Sequence, residues 1–209
     1  SDTEGIRDGE VAVALPEAFD AGLYFIGRIR TPWTRREECP KNARESYALC
    51  TIEVDARYAA ALAGVETCSH LVVLYFMDKA RRDLVVQAPR HYATGRGTFA
   101  LRSPARPNPI ALSVARLLGI DRTRLRVQGL DCLDNTPLLD LKPYFASTDS
   151  APDACVGWHA AQKSRAVAGL DVEPEPGVLP ELLEHVRRQV REGTIVRVGR
   201  MRQRHRGSG

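Results

Sequence analysis

The apolar positions of this chain fall in short bursts separated by long polar connections. Residues 24–29 form a first strand-like run, ended by Thr31-Pro32, and 47–54 alternates into a second. Asp55 then caps a short Ala-rich helix over 56–63, which Gly64 stops. The densest apolar run, 71–77, has the length of one strand, and its unbroken hydrophobicity predicts burial on both faces. Residues 98–101 read as strand, and 125–130 alternates clearly. Residues 110–118 have the Ala and Leu content of a helix but also alternate, with Ile110, Leu112 and Val114 on one side and Ala111, Ser113 and Ala115 on the other. Periodicity leaves both forms open there. Residues 131–144 read as a loop and a short strand.

The connections are equally distinctive. Residues 31–46 and 81–97 are polar and marked by proline or glycine, and 102–109 holds three prolines in eight residues, which rules out regular structure. Short strands with long polar connections predict a mainly β fold, an antiparallel β-barrel with short helices, in a domain spanning 23–165. Residues 1–22 have no sustained period and read as a mobile or edge-hugging lead-in. Beyond the barrel, 166–209 reads as a Pro- and acid-rich linker, a C-terminal amphipathic helix over 179–192 (Leu182, Leu183, Val186, Val190) and an Arg-rich tail.

Composition narrows the function classes. With 209 residues, 44% hydrophobic and 27% charged, the chain is an ordinary globular protein that needs no staple. It contains no apolar run long enough to span a membrane, and its start lacks the layout of a signal peptide. Five scattered cysteines without a Cys-x-x-Cys pair predict no disulfide framework and no metal, and suit a cytoplasmic protein. The net charge is only +4, but all but four of the 30 basic residues are arginine. Eight of these and His205 lie between Arg187 and Arg206 against the single acid Glu192, a block that either binds phosphates or is a solvated tail. No dinucleotide fingerprint, phosphate-binding loop, zinc-protease or serine-hydrolase motif appears.

Two segments stand out. Residues 102–110 (RSPARPNPI) put Arg102, Arg106 and Asn108 on a stiff loop, which favours ligand binding because ordering is partly complete beforehand. Residues 131–144 (DCLDNTPLLDLKPY) set Asp131, Asp134 and Asp140 among apolar neighbours, where carboxylates at a strand end can hold an ammonium or a ribose. A loop wrapping a corner and a simple Asp-Asn-Thr-Pro turn are the alternative readings.

Together with 26–33 (IGRIRTPW), 69–74 (SHLVVL) and 152–154 (PDA), these segments in this order resemble the TsaA-like family, also called TrmO or YaeB, over about three quarters of the chain. The resemblance implies a β-barrel S-adenosylmethionine-dependent tRNA methyltransferase, working as a homodimer. Its substrate would be the N6 nitrogen of threonylcarbamoyl-adenosine next to the anticodon. It also implies that 110–118 is strand. Carried over by position, the cofactor contacts are Asn42, Ala43, Arg44, Asp78, Lys79, Arg102, Leu112, Asp131, Cys132, Leu133 and Asp134. On chemical grounds Arg102 suits the cofactor's carboxylate, and Asp131 or Asp134 its ammonium or ribose. Asp134 and His70 are the candidate catalytic proton acceptors. Arg106, Lys142 and Tyr144 are the candidate substrate contacts. Another substrate for the same chemistry, or a non-catalytic RNA- or nucleotide-binding barrel, are the competing expectations.

Overall fold

A computed structural model describes residues 5–40, 47–89, 95–159, 188 and 195–198. Apart from residue 188, which is helical, the predicted helix over 179–192 and nearly all of the Arg-rich tail lie outside the described residues. Chain contacts divide the protein into two units, residues 1–144 with 195–209, and residues 145–194. In the second unit the described part includes a short helix, Ala146–Asp149, whose Asp149 carboxylate accepts a hydrogen bond from the Phe145 amide at 2.8 Å.

The first unit is built on a closed antiparallel barrel of six strands, β2 (Gly27–Arg30), β3 (Cys50–Val54), β4 (His70–Phe76), β7 (Ile110–Asp121), β8 (Arg124–Gln128) and β9 (Thr136–Pro143), in the order β2-β3-β8-β7-β4-β9. Alternate residues point inward: Ile29, Ile52, Leu71, Val73, Leu125, Val127 and Leu138 are essentially inaccessible to water. Burial of such side chains contributes about 1.5–3 kcal/mol each. Strand β4 alternates between buried and half-buried positions, which corrects the expectation of burial on both faces: one side of every barrel strand looks outward. Residues 110–118 are strand, as the resemblance implied. Register shifts at Leu74/Tyr75 and Leu117/Gly119 add the local bending that closure needs.

A second sheet, in the order β10-β1-β5-β6, joins β1 (Val11–Val13), β5 (Leu84–Gln87), β6 (Arg96–Gly97) and β10 (Ile195–Val198). Three sequence expectations are corrected here. The lead-in contains a strand with Val11 and Ala12 buried, the polar connection 81–97 contains β5, and part of the Arg-rich tail is strand. Two further corrections concern local form. Residues 98–100 make a single 3-10 turn rather than strand, because the Thr98 side chain turns inward to donate to Leu84 O at 2.9 Å. The Asp55-capped helix, Ala56–Leu62, is also 3-10, and Gly64 follows it at φ 89°. Among the described residues no helix is long and apolar enough to cross a membrane, and no cluster of three or more metal-ligating side chains forms.

Strands β2 and β3 approach most closely at Gly27. A Cβ there would collide with the Glu53 carbonyl oxygen and stand 3.0 Å from Val54 Cα, both backbone atoms that cannot step aside. Gly27→Ala is therefore expected to destabilise the barrel by about 1–3 kcal/mol or more, read as a lowered midpoint in urea unfolding. A substitution at Gly22, where a Cβ meets nothing within 4 Å, is the control expected to leave the midpoint unchanged.

Candidate functional site

Because neighbouring strands of the barrel are antiparallel, β2, β4 and β8 all finish at the same end. The connections 31–49, 77–109 and 129–135 therefore emerge together, and they carry both segments singled out in the sequence. Gly129, at φ 97°, ends β8 and turns the chain across the barrel. Leu130 and Cys132 plug the opening with no solvent exposure and pack with the barrel core.

Between them, Asp131 Oδ1 accepts hydrogen bonds from Tyr75 OH at 2.7 Å and from Ser113 Oγ at 3.2 Å, and those two hydroxyls lie 3.0 Å apart. Burial, reinforced by the charge of Asp131, raises the Tyr75 phenol far above its ordinary range, so Tyr75 donates and does not ionise. The backbone carbonyl of Asp131 accepts from the Cys39 thiol at 2.9 Å. Burial pushes the thiols of Cys39 and Cys50 up to about 11, and that of Cys132 higher still. These thiols stay protonated at neutral pH and are not nucleophiles.

The turn beyond is pinned to β2. Asp134 Oδ1 accepts from the Thr31 amide at 3.1 Å, the Asp134 amide donates to Trp33 O at 2.7 Å, and Thr31 Oγ1 donates to Cys132 O at 3.0 Å. Arg30 stands 3.9 Å from the second Asp134 oxygen. Thr136 Oγ1 holds Leu133 O at 2.7 Å, and Asn135 takes the left-handed conformation (φ 65°) that asparagine tolerates better than most residues.

The proline-rich loop reaches the same place from the other side. The pairs Met77–Pro109 and Ser69–Leu117 bond across β4 and β7, so the alternate residues of β7 turn their backbone groups to the opposite edge. Strand β8 covers that edge only from Arg116 onward, leaving 110–115 open. Arg102 Nη2 fills part of it, donating to Leu112 O at 2.9 Å, and the next residue, Ser113, holds Asp131. Arg102, Leu112 and Asp131 are thus brought together at one end of one strand.

The loop itself is braced by side chains the sequence reading did not single out. Buried Gln87 on β5 donates to Ala105 O at 2.6 Å and to Thr98 Oγ1 at 2.9 Å. Arg82 donates to Pro107 O at 2.6 Å and Asn108 Oδ1 at 3.2 Å while lying over the Phe19 ring. Arg106 bonds the carbonyls of Ser103, Thr98 and Leu101. Its Nε and Nη2 thus brace the loop, where the sequence reading expected a substrate contact.

Asp78 and Lys79 follow β4 at the same end and are exposed; Asn42, Ala43 and Arg44 lie outside the described residues. Three candidates do not join the site. His70 opens β4, five residues and about 17 Å along the strand from Tyr75, on the outer face, with Nδ1 3.0 Å from Ser69 Oγ. Lys142 and Tyr144 lie at the end of β9 on that far side, Lys142 paired with Asp140 at 2.7 Å and the Tyr144 amide bonded to His70 O at 3.2 Å. A cavity of about 380 Å³ opens there too, lined by Ala61, Val65, Cys68, Leu71 and Leu141, away from the Asp131 cluster. Of the residues missed, Tyr75 carried a signal: a tyrosine inside a buried strand needs a partner for its hydroxyl.

With this geometry in view, comparison with known proteins is direct. Residues 28–150 match the model of the tRNA-methyltransferase O N-terminal domain. A probable S-adenosyl-L-methionine-binding protein, VirR of Rhizobium radiobacter, is 47% identical over 138 residues, covering 66% of this chain and 79% of that protein. A mouse tRNA (adenine(37)-N6)-methyltransferase is 37% identical over 113 residues, covering 53% of this chain but only 26% of the mouse protein. The crystal structure of TrmO from P. aeruginosa superimposes with a TM-score of 0.57 at 29% identity, covering 85% of this chain and 77% of that one. The matched stretch runs from β2 through β9 and includes both the braced arginine loop and the acidic turn, and the chain belongs to the tRNA-methyltransferase O N-terminal-domain family.

Proposed function

We propose that this protein is an S-adenosylmethionine-dependent tRNA methyltransferase acting on N6 of the threonylcarbamoyl-adenosine beside the anticodon of cytoplasmic tRNA. The observation that carries the reading is the meeting of Arg102 and Asp131 at residues 112–113 of β7, within a family whose described relatives bind this cofactor or methylate tRNA adenine. The donor set suits the cofactor: a guanidinium for its carboxylate, carboxylates for its ammonium and ribose, and apolar Leu112 and Leu133 for its adenine. When bound, the cofactor supplies a methyl group already activated by its sulfonium.

The protein's own contribution is then position. Tyr75 and Ser113 fix one oxygen of Asp131 and leave the other for the ligand. Gln87, Arg82 and Arg106 hold the Arg102 loop, so that little ordering remains on binding. Asp78, Lys79 and the segment Asn42, Ala43 and Arg44 complete the cofactor contacts from the flanking connections. Cys132, with its thiol fully buried, contributes through its backbone. Asp134 is the proton acceptor in this reading, through Oδ2, because Oδ1 is taken by the Thr31 amide. The protein works as a homodimer that covers the apolar outer face of β7, where Ile110, Leu112 and Val114 are 40–44% exposed.

Mass spectrometry of nucleosides from tRNA incubated with protein and S-adenosylmethionine is expected to show the N6-methylated threonylcarbamoyl nucleoside. Cofactor binding without turnover on any tRNA would instead support a non-catalytic barrel. In calorimetry, Asp131→Asn is expected to raise the cofactor Kd about 10- to 100-fold and Tyr75→Phe about 10-fold, the range for lost hydrogen bonds to charged groups. His70→Ala is expected to leave turnover unchanged. Val114→Glu is expected to shift the sedimentation coefficient toward that of a monomer, and an unchanged coefficient would move the dimer contact elsewhere.

A further inference from the structure

The outer surface of the barrel has two chemically different parts. Across β4 and the first half of β7 it is apolar. Across β2, β3, β8 and the second half of β7 it is arginine-rich. Strand register sets the arginines in rows: Arg28, Glu53, Arg124 and Asp121 are consecutive partners across four strands, and Arg30, Thr51, Arg126 and Gly119 form the next row. Arg116, partnered with Gln128, and Arg122 in the β7–β8 turn extend the face. Six arginines therefore share it with two acids, Glu53 and Asp121.

The acids do not neutralise it. Glu53 serves two arginines at once, Arg30 at 2.8 Å and Arg124 at 2.6 Å, and those bonds hold both guanidinium groups in place while leaving a net positive charge. Arg126 lies across β7 in the gap left by Gly119, where a Cβ would stand 3.0 Å from its Nη2. Arg124 keeps 64% of its side chain exposed and Arg30 44%, so their remaining donors face solvent. The face also joins the site directly: Arg30 Nη1 donates to Asn135 Oδ1 at 3.1 Å and Arg28 Nη1 to Asn135 O at 3.4 Å, one residue from Asp134.

We propose that this arginine face of β2, β3, β8 and the end of β7 is the track that binds the phosphate backbone of the RNA whose base enters at the Asp131 turn. The inference rests on the tRNA reading above and adds the surface and the contacts. A regularly spaced set of forked donors following the barrel wall matches a chain of phosphates, with neighbouring strands about 4.8 Å apart and alternate residues of one strand about 7 Å apart. Such contacts bind by releasing counterions and therefore weaken as salt rises.

The test is fluorescence anisotropy of the full chain with a labelled anticodon stem-loop RNA over a range of KCl concentrations. The double variant Arg116→Ala/Arg126→Ala is expected to weaken binding about tenfold at 0.1 M salt and to lower the slope of log K against log salt by about 1.5. Calorimetric affinity for S-adenosylmethionine is expected to stay within about twofold of the parent, an outcome that also excludes misfolding. Arg116→Lys/Arg126→Lys is expected to restore most of the slope. Unchanged affinity and slope in the double alanine variant would overturn the proposal while leaving the methyltransferase reading standing if tRNA is still methylated. A parent protein that neither binds nor methylates RNA would overturn both. Loss of binding to phosphatidylserine vesicles with RNA binding intact would reassign the face to a membrane and overturn the proposal.

Discussion

One oxygen of Asp131 holds three parts of the chain together. Through Tyr75 it is tied to β4, through Ser113 to β7, and by its own backbone it continues β8 across the barrel end. A carboxylate so placed gives up part of its hydration, and two hydroxyl donors replace the lost water. The same bonds determine where the second oxygen points. Packing at this end of the barrel and the orientation of the carboxylate therefore share one interaction.

The barrel also explains why the Arg102 loop needs outside support. Three prolines deprive it of amide donors, so its carbonyls are met by Arg82, Gln87 and Arg106, side chains drawn from the connection after β4, from β5 and from the loop itself. The small sheet is thus more than an appendage: by burying Gln87 it fixes the height of the loop above β7. Stiffness comes from proline, but location comes from these borrowed donors.

Much of this was legible in the sequence, for identifiable reasons. Strand β4 and the 125–130 region showed because apolar residues recur where a barrel wall requires them, and the Asp55 cap and Gly64 stop follow from local chemistry alone. The strands β1, β5 and β10 were hidden because each has only three or four residues, too few to display a period, and they pair with partners far away in the chain. Arg102, Leu112 and Asp131, which the structure brings together, were pointed to by the family's ordered motifs. Tyr75 and Ser113 were not, since one sits in an apolar run and the other in an alternating one. His70 was misplaced because nearness to a motif in sequence says nothing about which side of a sheet a residue faces.

The four strands of the small sheet come from residues 11–13, 84–87, 96–97 and 195–198. Its completion pairs residues 11–13 with 195–198, so a loop of about 180 residues must close, the kind of long-range pairing that forms slowly. During synthesis β10 can dock only after residue 198 has left the ribosome. The barrel, spanning 27–143, is available much earlier. Settling of the sheet that steadies the arginine loop therefore follows the barrel, and a growing chain holds the scaffold before it holds that support.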